Sequence, residues 1–216
     1  LTVVALLAPV AASASVTLRQ VDSTGYPTIR ATVVAPVASD QAPTLTEDGR
    51  QVVDLTAVNL ASSKSLVVAI DRSRSMAGSQ FSDATAAARD FLAKKSGADR
   101  VAVVVFGSTA VRQTSFSSST IDADDALRTM EIDAKSGTAL NDAVVLSSQM
   151  LSAESGRARV LVLLTDGQDV SSKASLNDAI AAAHKAGVIV YSISIGGTNA
   201  TTRPLQQLAR ETSGAF

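Results

Sequence analysis

Four near-continuous runs of apolar residues place the strongest constraint on how this chain can fold. The runs cover residues 66–70, 101–106, 160–164 and 188–195. A strand that is apolar along its whole length is buried on both faces, which is typical of a parallel sheet covered by helices. The sequence therefore predicts an α/β domain with these four strands at its centre.

The segments between the apolar runs predict helices. Apolar residues recur at helical spacing over residues 81–92 and again over 140–151. A capping box opens a further helix that covers residues 175–187. Residues 101–113 predict one antiparallel hairpin at an edge of the sheet. The expected fold is a doubly wound, mostly parallel sheet with helices on both faces.

The residues before this domain have a different pattern. Residues 1–14 are a short apolar run that ends in Ala12-Ser13-Ala14, which is typical of a signal-peptide remnant, with a first β-strand as the alternative. Residues 15–62 predict a small β-unit with alternating strands and a Gly49 turn. Residues 63–216 form the α/β domain, which we expect to continue beyond the end of the sequence. The strands expected in the β-unit are 16–21, 28–34 and 51–56.

The composition argues against several classes of function. The chain has 216 residues and a formal net charge of −1, which disfavours nucleic-acid binding and a polybasic lipid contact. It contains no cysteine, so disulfides, thiolate metal sites and cysteine nucleophiles are excluded. The phosphate-binding loop, the dinucleotide fingerprint and the nucleophile elbow are also absent from the sequence.

Oxygen-bearing side chains gather where the predicted strands end. Asp71, Ser73 and Ser75 follow the first apolar run, Asp166 follows the third, and Thr138 precedes the helix between them. Ligands of open α/β sheets bind at the carboxyl ends of the strands. Carboxylate and hydroxyl oxygens suit a hard divalent cation, Mg²⁺ foremost, with Mn²⁺ or Ca²⁺ as alternatives. Because three of these groups are neutral, the cation should favour an acidic ligand from a partner protein.

This constellation resembles the metal-ion-dependent adhesion site of von Willebrand factor type A domains. The resemblance covers residues 65–216, and all five ligand positions occur in the expected order. It implies the Rossmann-like fold of that family, hydroxyl ligands from Ser73, Ser75 and Thr138, and direct or water-mediated binding by Asp71 and Asp166. It also implies that a partner's Asp or Glu completes the coordination. The alternative is that these residues only cap helices and form turns.

Four other residues bear on this interpretation. Arg74 occupies a position where the family most often has a small residue, usually Gly; it could contact an acidic partner, compete with the ion, or be a solvated loop arginine. Asp142 is either an acceptor behind the metal ligands or a helix-surface carboxylate. Asp169 could lie near the site but is not assigned to it. His184, the only histidine, is expected on the surface of a helix.

The sequence thus predicts a non-enzymatic, metal-dependent protein-binding or adhesion module. One alternative is a Mg²⁺-dependent hydrolase or phosphotransferase, although Asp71 is not followed two residues later by a second acid, as it would be in an aspartyl-phosphate enzyme. The other alternative is a metal-free scaffold in a secretion or surface assembly. The first 62 residues are similar in arrangement to bacterial extracytoplasmic members of the family. We therefore expect a location outside the cytoplasm, either secreted or anchored to a membrane by further segments.

Overall fold

The computed structural model describes residues 17–23, 26–27, 29–34, 44–55, 57, 62–196 and 202–216. Contacts within the chain divide it into two units, Leu1–Ala57 and Val58–Phe216. The expected signal-peptide remnant lies outside the described residues, and the bounds at 14 and 62 stay predictions. Within the described ranges, no helix is both long enough and apolar enough to cross a lipid bilayer.

The described part of the first unit forms two short antiparallel pairs of strands. Asp48 and Gly49 both have positive φ angles, which is the geometry of a tight hairpin turn and confirms the turn expected here. The expected strand at 51–56 is wrong beyond Gln51: the Val52 amide still donates to the Leu45 carbonyl at 2.9 Å, but residues 52–55 belong to no strand and Val53 is exposed. The strands are β1 (Thr17–Asp22), β2 (Arg30–Val34), β3 (Thr46–Glu47) and β4 (Arg50–Gln51).

The second unit contains the sheet that the four apolar runs predicted. The strands are β5 (Lys64–Asp71), β6 (Arg100–Phe106), β7 (Ala110–Arg112), β8 (Ala158–Thr165) and β9 (Val188–Ser194). Their order in the sheet is β7-β6-β5-β8-β9, with β7 antiparallel and the other four strands parallel. The mostly parallel sheet and its antiparallel edge hairpin are therefore confirmed.

Helices cover both faces of this sheet and create two separate apolar cores. Side chains of a strand alternate between faces, so Val67 of β5 packs with one core and Val68 with the other. The helices are α1 (Ser79–Ala93), α2 (Ile121–Arg128), α3 (Leu140–Ser152), α4 (Leu176–Ala186) and α5 (Thr202–Glu211). The first core includes α3, α4 and α5, and the second includes α1 and α2. This arrangement confirms the doubly wound fold.

Helix α4 begins with the capping box that the sequence predicted. The Ser175 side chain accepts a hydrogen bond from the Asp178 amide, and the Asp178 carboxylate accepts one from the Ser175 amide. The helix ends at Gly187, whose φ of 63° is the left-handed conformation that glycine adopts without strain. Both ends of α4 are therefore determined by its own sequence.

Candidate metal centre

The three loops that carry the candidate ligands meet at the carboxyl edge of the sheet. Strand β5 ends at Asp71, which is in register with Phe106 at the end of β6. The neighbouring strand β8 ends at Thr165, immediately before Asp166. The amide of Ala139 donates to the carbonyl of Gly107 at 2.7 Å, which brings the Thr138 segment to the same edge.

Asp71 is a buried carboxylate with an exposed fraction of 0%. One carboxylate oxygen accepts from the Ser73 amide at 2.8 Å, and the other accepts from the Thr165 hydroxyl at 2.6 Å. Burial raises the pKa of Asp71 to about 6, and the negative charge of Asp166 contributes, although the hydrogen bonds from Ser73 and Thr165 act in the opposite direction. None of the ion pairs found among the described residues includes Asp71.

Ser73 and Ser75 present two hydroxyls side by side. Their oxygens are 3.0 Å apart, with Ser73 buried and Ser75 exposed. The backbone turns there through a 3-10 turn, Arg74–Met76, which the buried Met76 side chain anchors. Adjacent ligands of an octahedral Mg²⁺ ion, bound at about 2.0–2.1 Å, lie about 2.9 Å apart. The spacing of the hydroxyls therefore fits a shared cation as well as it fits a mutual hydrogen bond.

Thr138 is buried and is positioned by its backbone. Its carbonyl accepts from the amides of Val170 and Ser171 at 2.9 and 3.2 Å, in the segment that follows Asp166. Gly137 precedes it with a φ of +131°, and a Cβ atom there would lie 2.7 Å from the Ser171 hydroxyl. Only glycine fits this bend without displacing Ser171.

The structure thus brings four of the five predicted residues into direct contact or electrostatic interaction. Asp71, Ser73 and Ser75 are linked by hydrogen bonds, and Asp71 interacts electrostatically with Asp166. Thr138 is placed at the same edge through backbone hydrogen bonds. Coordination of a metal by these five residues stays a prediction.

The arginines of the first loop are tied to the segment before Thr138. The Arg74 guanidinium is exposed and donates to the carbonyl of Ala134. The Arg72 carbonyl accepts from the Asp133 amide at 2.7 Å. Hydrogen bonds from the Lys135 amide and from Ser108 lower the pKa of Asp133 to about 2. Asp133 therefore stays ionised and fixes the loop that carries Arg74's acceptor.

The sequence did not indicate three residues that hold the site together, which are Thr165, Asp169 and Asn141. Thr165 donates to Asp71 and also accepts from the Gly167 amide at 3.0 Å, so it joins two candidate loops. Asp169 accepts from the Leu140 amide and from the Asn141 side chain. A polar residue at the end of an apolar strand was the available signal for Thr165. Nothing local indicates the partners of Asp169.

The donor set differs from the usual clusters of acidic, histidine or cysteine ligands. Among the described residues, no group of three or more His, Cys, Asp or Glu side chains is placed to hold a metal ion. The candidate site instead combines two carboxylates with three hydroxyls. Oxygen ligands of this kind fit a hard divalent cation, and the uncompensated charge of Asp71 and Asp166 favours one.

Fold and site together define an α/β domain with a cluster of oxygen-bearing side chains at the carboxyl edge of its sheet. Residues 65–216 match the family model described as von Willebrand factor type A domain. The match covers more than half of the chain, and the chain belongs to this family, whose members are metal-dependent adhesion and protein-interaction modules.

Solved structures with the same fold come from diverse sources. BatB from Bacteroides thetaiotaomicron is 21% identical, with a TM-score of 0.61, over 71% of this chain and 88% of that one. Proximal thread matrix protein 1 from the mussel byssus, with a zinc-occupied MIDAS motif, is 22% identical, with a TM-score of 0.61, over 71% and 40%. A von Willebrand factor type A protein from Catenulispora acidiphila is 20% identical, with a TM-score of 0.63, over 71% and 38%. No curated protein matches the chain.

Proposed function

We propose that this domain is a non-enzymatic module that binds a protein partner through a divalent cation held by Asp71, Ser73, Ser75, Thr138 and Asp166. The observation that carries the proposal is the burial of the Asp71 carboxylate beside the charge of Asp166, with no ion pair to it in the described part of the chain. Burying a carboxylate without a compensating cation is unfavourable. A bound cation would remove both the desolvation cost and the repulsion.

The preferred ion is Mg²⁺, with Mn²⁺ and Ca²⁺ as alternatives, because every candidate ligand atom is an oxygen. The zinc-occupied motif of the mussel protein makes Zn²⁺ worth including in any titration. The partner is expected to present an Asp or Glu carboxylate. Since Ser75 is exposed and its hydroxyl is neutral, the ion would face solvent on that side with much of its charge uncancelled.

The side chains around Asp71 support binding rather than catalysis. The exposed hydroxyl of Ser75 is paired with that of Ser73 rather than with a base, whereas the hydroxyl of Thr165, which donates to the Asp71 carboxylate, is fully buried and out of reach of a substrate. His184 lies near the end of α4 with its ring Nε2 2.5 Å from the carbonyl of Glu211. The end of α4 precedes β9 and therefore lies at the opposite edge of the sheet. A hydroxyl nucleophile without a neighbouring base is poorly activated.

We also propose that the protein is bacterial and acts outside the cytoplasm, with residues 1–14 as a signal-peptide remnant, 15–62 as a small β-unit and 63–216 as the binding domain. The similarity to BatB, and to an aerotolerance-related membrane protein from Bacteroides fragilis that is 21% identical with a TM-score of 0.63 over 71% of this chain and 90% of that one, agrees with this location. A reporter enzyme fused after residue 62, with and without residues 1–14, tests it. Export that does not depend on residues 1–14 would contradict the proposal.

Calorimetric titration with Mg²⁺, Mn²⁺, Ca²⁺ and Zn²⁺ tests the metal site directly. We expect the wild-type chain to bind at least one ion and Ser73→Ala to lose that binding while melting normally in chelator. Ser79→Ala, which changes a serine at the start of α1 instead, is the matched control and should bind as the wild type does. The absence of both heat and a melting shift at millimolar ion would favour the metal-free scaffold.

The partner is tested by affinity capture with and without EDTA. We expect a protein to be retained only in the presence of the ion, and to be lost when Ser73→Ala replaces the wild type as bait. Incubation with phosphoesters and Mg²⁺ tests the enzymatic alternative. Metal-dependent turnover that Ser73→Ala abolishes would replace the binding function with a hydrolase or phosphotransferase.

A further inference from the structure

The helix that follows Thr138 begins without a cap of its own. The N-cap position of α3 is Ala139, which has no side-chain hydrogen-bonding group. The first amides of a helix lack partners within the helix, and alanine is a poor residue at the N-cap for that reason. These amides must therefore be satisfied by groups from elsewhere in the chain. Helix α4 differs from α3 in this respect, because Ser175 and Asp178 at its start cap its first amides.

Asp169 supplies the missing cap from 29 residues away. One of its carboxylate oxygens accepts from the Leu140 amide at 3.1 Å. The other accepts from the side-chain amide of Asn141 at 2.7 Å, and that amide also donates to the carbonyl of Ala174 at 3.2 Å. Asn141 is 6% exposed, so its polar group depends on these two acceptors.

Further hydrogen bonds join the same two segments. The Asp142 amide donates to the Ser172 hydroxyl at 3.1 Å, and the Asp142 carboxylate accepts from the amides of Lys173 and Ala174. Asp142 is therefore an acceptor for backbone amides of this loop, and not simply a carboxylate on the surface of the helix. It joins the start of α3 to the loop after β8 and serves the same connection as Asp169.

We propose that Asp169 and Asn141 form a positioning pair that fixes Thr138 relative to Asp166 and so sets the affinity of the site for its cation. The inference rests on the proposed metal binding. Thr138 lies two residues before Leu140, and Asp166 lies three residues before Asp169, so the pair joins the two candidate loops close to both. The pair acts through the backbone of each loop and does not itself contact the ion.

Double-mutant calorimetry with Mn²⁺ tests the pair. We expect Asp169→Ala to raise the dissociation constant about 10- to 100-fold, as for other groups that orient metal ligands. Asn141→Ala should have a similar effect, and the double variant should add little, because each single change already breaks the shared contact. Asp169→Asn keeps one carbonyl acceptor and should fall between the wild type and Asp169→Ala.

Two further measurements separate positioning from stability. Ser175→Ala removes the cap of α4 and should lower stability to a comparable extent while changing the Mn²⁺ dissociation constant by less than about twofold. Hydrogen exchange of the Leu140 amide in EDTA should be faster in Asp169→Ala than in the wild type, with no ion required. A wild-type chain that binds no ion would overturn the proposed function and this inference with it. Ion binding with normal affinity in Asp169→Ala, or unchanged exchange at Leu140, would overturn the pair alone.

Discussion

The amino and carboxyl ends of the parallel strands differ in how their carboxylates are neutralised. At the amino edge, the Glu154 carboxylate accepts from Arg100 at 2.7 and 2.9 Å and from the Ser65 hydroxyl at 2.7 Å. At the carboxyl edge, Asp71 is fully buried and is repelled by the charge of Asp166, with hydroxyl and amide donors but no ion pair among the described residues. One edge is thus complete in itself, whereas the other retains a charge that an outside cation would neutralise.

Within one sheet, the carboxylate at the amino edge is neutralised by the protein itself, whereas the carboxylate at the carboxyl edge is not. Both edges use strand ends and neighbouring loops to hold their polar groups, so the difference is not one of architecture. It lies in which residues the sequence places there. A carboxylate that meets an arginine contributes to folding, whereas a carboxylate that is buried without a cation is held at a desolvation cost that binding of an ion would offset.

The largest expected effect is at the carboxyl edge, on ion binding. Asp166→Ala removes one of the two carboxylates, and we expect the dissociation constant for Mg²⁺ or Mn²⁺ to rise by at least about 100-fold, or roughly 3 kcal/mol. Calorimetric titration measures it. The stability of this variant in EDTA should not fall, since Asp71 loses a repulsive neighbour. Ion binding at wild-type strength would place the ion elsewhere.

The next effect concerns the pH dependence of the ion-free protein. The pKa of Asp71 is raised from 3.8 to about 6, so between these values the folded state keeps a proton that the unfolded state has released. Stability should therefore decrease as the pH rises through this window, by up to about 3 kcal/mol from this group. Urea unfolding in EDTA at several pH values measures it. Asp71→Asn should remove this component of the slope, and a slope of unchanged size in that variant would contradict the assignment.

A smaller effect is expected at the amino edge, and it concerns stability alone. Glu154→Gln removes the charge that Arg100 binds, and we expect a loss of about 1–2 kcal/mol. This is less than for a fully buried pair, because the Arg100 side chain is 38% exposed. Chemical denaturation in EDTA measures the loss. The affinity for the ion should not change, and a weaker affinity would show that the two edges are coupled.

The smallest effect is expected for Arg74, beside the candidate ligands. Arg74→Ala should slow association with the metal-dependent partner by a few-fold at low salt and less at high salt, because exposed charges at the rim of an interface act mainly on the association rate. Surface plasmon resonance at two salt concentrations measures it. The affinity for the ion alone should stay within about twofold. Unchanged rates at both salt concentrations would leave Arg74 as a loop residue bound to Ala134.

Much of the fold follows from local patterns in the sequence. The apolar runs predicted β5, β6 and β8 because a strand buried on both faces needs apolar residues along its length. The run that predicted β9 includes two serines, and one face of that strand is partly exposed. The box at Ser175 predicted the start of α4, since both of its partners lie within three residues of each other. The expected strand at 51–56 failed because apolar residues form a strand only where another strand pairs with them.

The site was predictable in its composition but not in its support. Asp71, Ser73 and Ser75 lie in one short loop, so their spacing indicates a common point of convergence. The bond between Thr165 and Asp71 spans 94 residues, and the bond between Asp169 and Asn141 spans 28. Such pairs exist only after the sheet has assembled, so no short pattern in the sequence can indicate them.

The edge strand β7 and the segment after it are short and irregular, which affects how copies of this protein can pair through their sheets at high concentration. Strand β7 has only three residues, and the chain after it bends so that the Thr114 hydroxyl, rather than a carbonyl, accepts from the Val103 amide. An added strand needs a long, straight row of free amides and carbonyls as its template. This edge offers a poor one, so we do not expect copies of the domain to join by adding a strand beside β7.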